Sequence, residues 1–260
     1  MHNWRLGISV SNPSKDILKE CSDVGFSCIE VIVKDFDYER AVQTAADAKA
    51  VCIDIWSLHL PFGTEWDISA IDEQERLAVV QKLFDVIELT SPLKAKVAVI
   101  HGSYEPIEPK DRDVKIQACI KSLKALVEKC REHGLQLAIE CLPRTCLGNS
   151  SMEILAIVEA VKGLSVCFDT NHLTIEEPVD FVKKVGKYII TTHVSDYDKI
   201  DERHWLPGKG VNDWQGLLTG LKNTNYSGPI LFEVASRQAD QVITPIIVME
   251  NWQRLIKTLK

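Results

Sequence analysis

Eight short apolar runs, each followed by a longer stretch of helical periodicity, constrain this chain more than any other feature. The runs cover 6–10, 28–33, 51–58, 96–100, 136–140, 165–168, 188–193 and 229–234. Several are apolar at consecutive positions, the pattern of parallel strands covered on both faces. Between them, 113–133 carries Ile116, Cys119, Ile120, Leu123, Val127 and Cys130 at three- and four-residue steps. The stretch 68–90 does the same with Ile71, Leu77, Val80, Leu83 and Ile87, and 243–258 with Ile246, Met249, Trp252 and Ile256. Each set makes one apolar helix face. Ser150 with Glu153 has the spacing of a capping box, as has Asn212 with Gln215, and Gly134 stands where the fourth helix should stop. Eight such units without a linker predict one (β/α)₈ TIM barrel, a single domain over 1–260. The rival doubly wound sheet lacks its GxGxxG turn after the first strand.

Composition narrows the function classes. Hydrophobic residues make up 45% and charged residues 26%, enough for a sizeable core. The net charge of −7 argues against a nucleic-acid partner, which needs a basic face. No apolar stretch approaches membrane-spanning length, and the opening MHNWRLGISV has no secretory h-region. The eight cysteines form no CxxC pair and mostly sit in apolar runs. Reduced core thiols in a cytoplasmic protein are therefore expected.

The strand ends are where a barrel of this kind keeps its chemistry. Here they carry Glu30, His59, His101, Glu140, Asp169, His193 and Glu233. One charged residue closing a buried strand is ordinary, but a ring of them is costly to desolvate without a cation or mutual pairing. Glu140, Asp169, His193 and Glu233 make the best metal set. Carboxylates with one imidazole suit Mn²⁺, Mg²⁺, Co²⁺ or Zn²⁺, and the lack of cysteine ligands argues against a structural zinc. His59 and His101 directly follow strands, and His172 follows Asp169 by three residues in DTNH; with His204 they are expected to line the site. His2 is terminal and His133 ends a helix, so neither is assigned a role.

The segment 195–214, SDYDKIDERHWLPGKGVNDW, is polar and aromatic and follows the seventh strand, which predicts a substrate loop. Pro207, Gly208 and Gly210 mark a fixed turn in it. Lys199, Arg203 and Lys209 offer charge for an anionic substrate group, although no GxxxxGK[ST] loop supports a nucleotide.

In order, HLPFG, HGSYEP, Glu140, DTNH, THVSD, DERHWLPGKGVNDW and FEVA resemble the xylose isomerase-like TIM-barrel superfamily, and within it the sugar phosphate isomerase/epimerase branch. The resemblance covers nearly the whole chain. It implies one divalent ion, with manganese or zinc favoured, on Glu140, Asp169, His193 and Glu233. It further implies Glu140 and Glu233 as the acid/base pair, and His172 as a ligand of substrate oxygens. Many epimerases of that branch have arginine six residues after the metal-bound histidine; this chain has Lys199, which cannot give bidentate recognition. The implied reaction removes a proton beside a carbonyl of a sugar, sugar phosphate or keto-sugar through a metal-stabilised enediolate.

Two other classes use the same residues. The superfamily also contains endonuclease IV, a three-zinc abasic-site nuclease. Its ligand pattern is met by His59, His101, Glu140, Asp169, His172, His193, Glu202, His204 and Glu233, and ERH resembles its DRH motif. A keto-sugar or inositol dehydratase would begin with the same proton abstraction. A degenerate, non-catalytic binding protein is disfavoured by the intact four-residue set. The partners expected are a small carbohydrate and, as is common in such families, further copies of the chain.

Overall fold

The computed structural model describes residues 4–11, 13–34 and 37–259; His2 lies outside them. Eight strands run β1 Leu6–Val10, β2 Cys28–Ile32, β3 Asp54–His59, β4 Val97–Ile100, β5 Gln136–Glu140, β6 Ser165–Asp169, β7 Ile189–His193 and β8 Ile230–Phe232. The helices are α1 Lys15–Asp23, α2 Tyr38–Ala50, α3 Glu73–Leu89, α4 Arg112–Glu132, α5 Ser151–Ala160, α6 Pro178–Val185, α7 Trp214–Asn223 and α8 Pro245–Thr258. Every neighbouring pair is parallel, in the order β7-β6-β5-β4-β3-β2-β1-β8. A parallel bridge from Val194 to Phe232 brings the ring round, with Val194 N–H donating to the Leu231 carbonyl at 2.8 Å. This is the expected TIM barrel. A two-residue hairpin, β9 Arg237–Gln238 with β10 Gln241–Val242, follows β8.

Several boundaries differ from expectation, each for a local reason. The third strand begins at Asp54 rather than 51, because Val51 closes α2 by donating to Asp47 and Cys52 takes φ 57° in the turn. The third helix begins at Glu73, capped by Asp72, whose side chain accepts from the Gln74 and Glu75 N–H groups. Its buried face is Arg76, Val79, Val80, Leu83 and Ile87, while Ile71 and Leu77 are exposed. Ile246 is likewise exposed, and α8 packs through Val248, Met249 and Trp252. Ser150 caps α5 by accepting from Glu153 N–H, but the Glu153 carboxylate turns to Arg112 and Gly148 instead of closing the box. Asp213, not Asn212, caps α7. Gly134 ends α4 at φ 70°, as expected.

The barrel interior divides along its axis. Toward the strand starts, Val97, Val99, Ala138 and Cys167 form a small apolar cluster with Trp56, whose indole N–H donates to Thr191 Oγ1 at 3.1 Å. Toward the strand ends the inward side chains turn polar. The larger core lies between the outer strand faces and the helices. Seven of the eight cysteines are buried and free, and only Cys52 is exposed.

Candidate active site

Parallel strands of similar length end together, so their last residues meet at one mouth. Asp169 pairs in register with His193, and Glu140 with Cys167. Glu233 follows β8 directly. The Nδ1 of His193 lies 3.0 Å from Glu140 Oε1, 3.0 Å from Glu233 Oε2 and 3.9 Å from Asp169 Oδ2. Glu140, Asp169 and His193 are buried, and Glu233 retains some exposure.

The donor set fits a divalent cation. One ligand atom from each of Glu140, Asp169, His193 and Glu233 falls within 4.8 Å of all the others. Asp169 Oδ2 and Glu233 Oε2 are buried without a hydrogen-bond partner. Glu233 Oε2 lies close to His193 Nδ1, but not in hydrogen-bond geometry. Buried acceptors aimed at one point need a positive charge there. Three carboxylates with one imidazole match a hard-to-borderline ion.

The charges are set by the same crowding. Burial pushes the Asp169 carboxyl up to about 7; His172 opposes this, and Glu140 and Glu233 add to it. Burial also opposes ionisation of Glu140 and Glu233, but His193 and other imidazoles outweigh it and hold both well below the usual carboxylate range. Burial lowers His59, yet its hydrogen bond and attraction to Glu140 prevail and raise it to about 9. For His101 burial prevails and its pKa is lowered.

The remaining histidines are oriented by the backbone. His59 Nδ1 meets the Leu60 carbonyl at 2.9 Å, His172 Nδ1 the Cys141 carbonyl at 3.0 Å, and His204 Nδ1 the Glu233 carbonyl at 3.1 Å. Each carbonyl can only accept, so each Nδ1 carries a proton and each Nε2 faces away from that carbonyl. His59 and His101 Nε2 both lie 3.2 Å from Glu140 Oε2. His172 Nε2 lies 3.1 Å from Glu202 Oε2, and His204 stands beside it at 5.6 Å between rings. His59–His101–Glu140 and His172–Glu202–His204 each satisfy the same proximity as the central four.

Lys199, also singled out in the sequence, pairs outside these clusters. It has φ 64°, and its ammonium pairs with Glu177 at the head of α6. Arg203 pairs with Asp198 within the loop.

Sequence reasoning missed the residues that hold the loops. Arg144 reaches Glu105, Asp201 and Glu202, tying together the loops after β4, β5 and β7. Asn171 Oδ1 accepts from the N–H groups of Arg203 and His204, fixing His204 at φ 48°. Buried Asp196 accepts from Gly208 N–H, the Trp214 indole and the N–H groups of Asn212 and Tyr197. Asn171 and Asp196 stand inside the DTNH and THVSD motifs, whereas nothing in the sequence marked Arg144.

Comparison with known proteins agrees with this architecture. Over 185 residues the chain is 29% identical to uncharacterized protein MJ1311 of Methanocaldococcus jannaschii, covering 68% of this chain and 63% of that one. The matched stretch thus spans less than two thirds of that relative. Over 228 residues it is 23% identical to D-psicose 3-epimerase of Agrobacterium fabrum, covering 83% and 77% of the two chains. A solved D-tagatose 3-epimerase-like protein superposes with a TM-score of 0.83 at 22% identity, covering 97% of this chain and 96% of that chain. The family model described as xylose isomerase-like TIM barrel matches residues 18–259, and the chain belongs to that family.

Proposed function

We propose that the chain is a sugar isomerase or epimerase that depends on a divalent ion held by Glu140, Asp169, His193 and Glu233. The reading rests on one observation above all: two carboxylates, Glu140 and Glu233, lie 3.0 Å from the same imidazole nitrogen at the mouth of the barrel. Relatives named as 3-epimerases support it. Manganese or zinc is favoured. A divalent ion bound there supplies Lewis acidity, polarising a carbonyl and easing negative charge on the oxygens beside it.

The chain's own residues do the rest. Both glutamates are held ionised, so either can accept a proton from the carbon beside the carbonyl. Returning the proton to the neighbouring carbon completes an isomerisation, and returning it to the opposite face of the same carbon completes an epimerisation. His59, His101, His172 and His204 present imidazole nitrogens to substrate oxygens around the mouth. Lys199 joins them on release from Glu177. The substrate is a small carbohydrate, and residues 1–260 act as a single domain, placed in the cytoplasm. No helix among the described residues is long and apolar enough to cross a membrane.

The test is proton exchange. Ketoses incubated with the Mn²⁺-loaded protein in deuterium oxide are expected to take up deuterium beside the carbonyl. A panel of phosphorylated and free ketoses with no exchange at any carbon would sink the reading.

One observation favours a second reading. The two flanking His/Glu triads suit further cations, as in a three-zinc abasic-site nuclease. The net charge of −7 opposes a DNA partner. Three zinc ions per chain together with cleavage of an abasic-site duplex would establish the nuclease; a single ion favours the isomerase.

A further inference from the structure

We infer that Glu30 is a positioning residue, which acts across the barrel to fix the His193 ring so that only Nδ1 is offered to a cation. This inference rests on the metal site proposed above. Glu30 stands on β2, far round the ring from His193 on β7. Both residues are fully buried. The His193 Nε2 lies 2.9 Å from Glu30 Oε1 and 3.1 Å from Oε2. An ionised carboxylate can only accept, so Nε2 must carry a proton. Nδ1, which meets Glu140 Oε1 at 3.0 Å, is then the nitrogen that would give up its proton to a cation, and it faces Glu140, Asp169 and Glu233.

The carboxylate is itself built in. Ser9 on β1 and Ser57 on β3 are its register partners on either side, and their hydroxyls donate to Oε1 and Oε2, each at 2.7 Å. The Ile29/Glu30 register shift against β3 lies at this position. A buried acid with two serine donors and one imidazole donor has little freedom to turn. Such an outer carboxylate orients a ligating histidine and raises its basicity.

The experiment is a double-mutant cycle read by Mn²⁺ affinity, using calorimetry on the full chain, with melting in chelator as the fold control. Glu30→Gln is expected to weaken Mn²⁺ by about 10- to 100-fold. In a His193→Gln background the same change is expected to cost little more, because its route is gone. A full, additive loss in that background would mean that Glu30 acts only as a distant charge and would overturn the inference. Equal affinities of Glu30→Gln and the wild type would overturn it alone, leaving the metal site standing. No Mn²⁺ binding by the wild type would sink both. If Glu30→Gln fails to fold, Ser9→Ala and Ser57→Ala keep the charge and release its anchors. Each is expected to give a smaller loss of affinity, and unchanged affinity in both would overturn the inference.

Discussion

At the scale of single residues, the site is a cluster of acids that stabilise one another poorly. Asp169 shows this most clearly. Its carboxyl is raised to about 7 by burial, while an unfolded aspartate titrates near 3.8. Between these values the folded chain binds more protons than the unfolded one. The contribution of Asp169 to stability is therefore complete below about pH 4 and is lost as pH rises toward 7. Asp169→Asn removes that loss. In chelator, the melting temperature of Asp169→Asn is expected to rise relative to the wild type between pH 5 and pH 8. Added Mn²⁺ should cancel the advantage, because the variant lacks a ligand. A melting difference that is flat with pH would show that Asp169 is not held this way. Glu140→Gln and Glu233→Gln should each lower turnover by about 100- to 10,000-fold with the fold intact, as measured by initial rates and circular dichroism. Near-normal turnover in either would remove that residue from the proton-transfer role.

At the scale of elements, the loop after β7 is heavily tied. Asp196 gathers four N–H donors from it, and Gly210 passes so close that a Cβ would sit 2.1 Å from the Tyr197 carbonyl. Backbone cannot yield cheaply there, so Gly210→Ala is expected to cost about 1–3 kcal/mol in a urea melt. It should also speed tryptic cleavage at Lys199, Arg203 or Lys209, and an unchanged digestion rate would show that the loop tolerates the Cβ. The sequence made this loop visible by its Pro and Gly turn, but not its anchors. Hydrogen bonds such as those of Asp196 and Arg144 link residues without any periodic spacing, and nothing local marks them. The face expected on 113–133 is buried or partly buried in α4, but two positions expected on the third helix face failed for a related reason. Ile71 and Leu77 fit a helical stripe by count, yet α3 turns Arg76 inward to meet Glu73 and Ser122, which periodicity alone does not foresee.

At the scale of the molecule, the barrel was legible because period and order survive any detail of packing: eight apolar runs can be counted without knowing what they touch. The four central residues were legible for the same reason, as each stands at the end of a run or one residue from it. What could not be read was the orientation of each ring, which depends on carbonyls such as those of Leu60, Cys141 and Glu233. A cation joining elements on β5, β6, β7 and after β8 should stabilise the whole ring. At 100 times its Kd an ion adds about 2.7 kcal/mol. For a chain of this size that is roughly 5–10 °C in Tm. Thermal melts with and without EDTA check it, and equal transitions would exclude a bound ion.

The distribution of thiols turns the barrel into its own clock. Cys52 lies at the surface, whereas Cys28 and Cys167 belong to strands and Cys21, Cys119 and Cys130 to helices packed on them. Burial raises the Cys28 thiol to about 11 and the Cys21 and Cys130 thiols to about 12. A thiol-specific dye added to the native protein should therefore react with one equivalent at once. The other seven should follow at the pace of opening. Strand and helix cysteines that react together would mark a barrel that opens as a unit, while early release of the helix thiols would show the outer ring peeling away first.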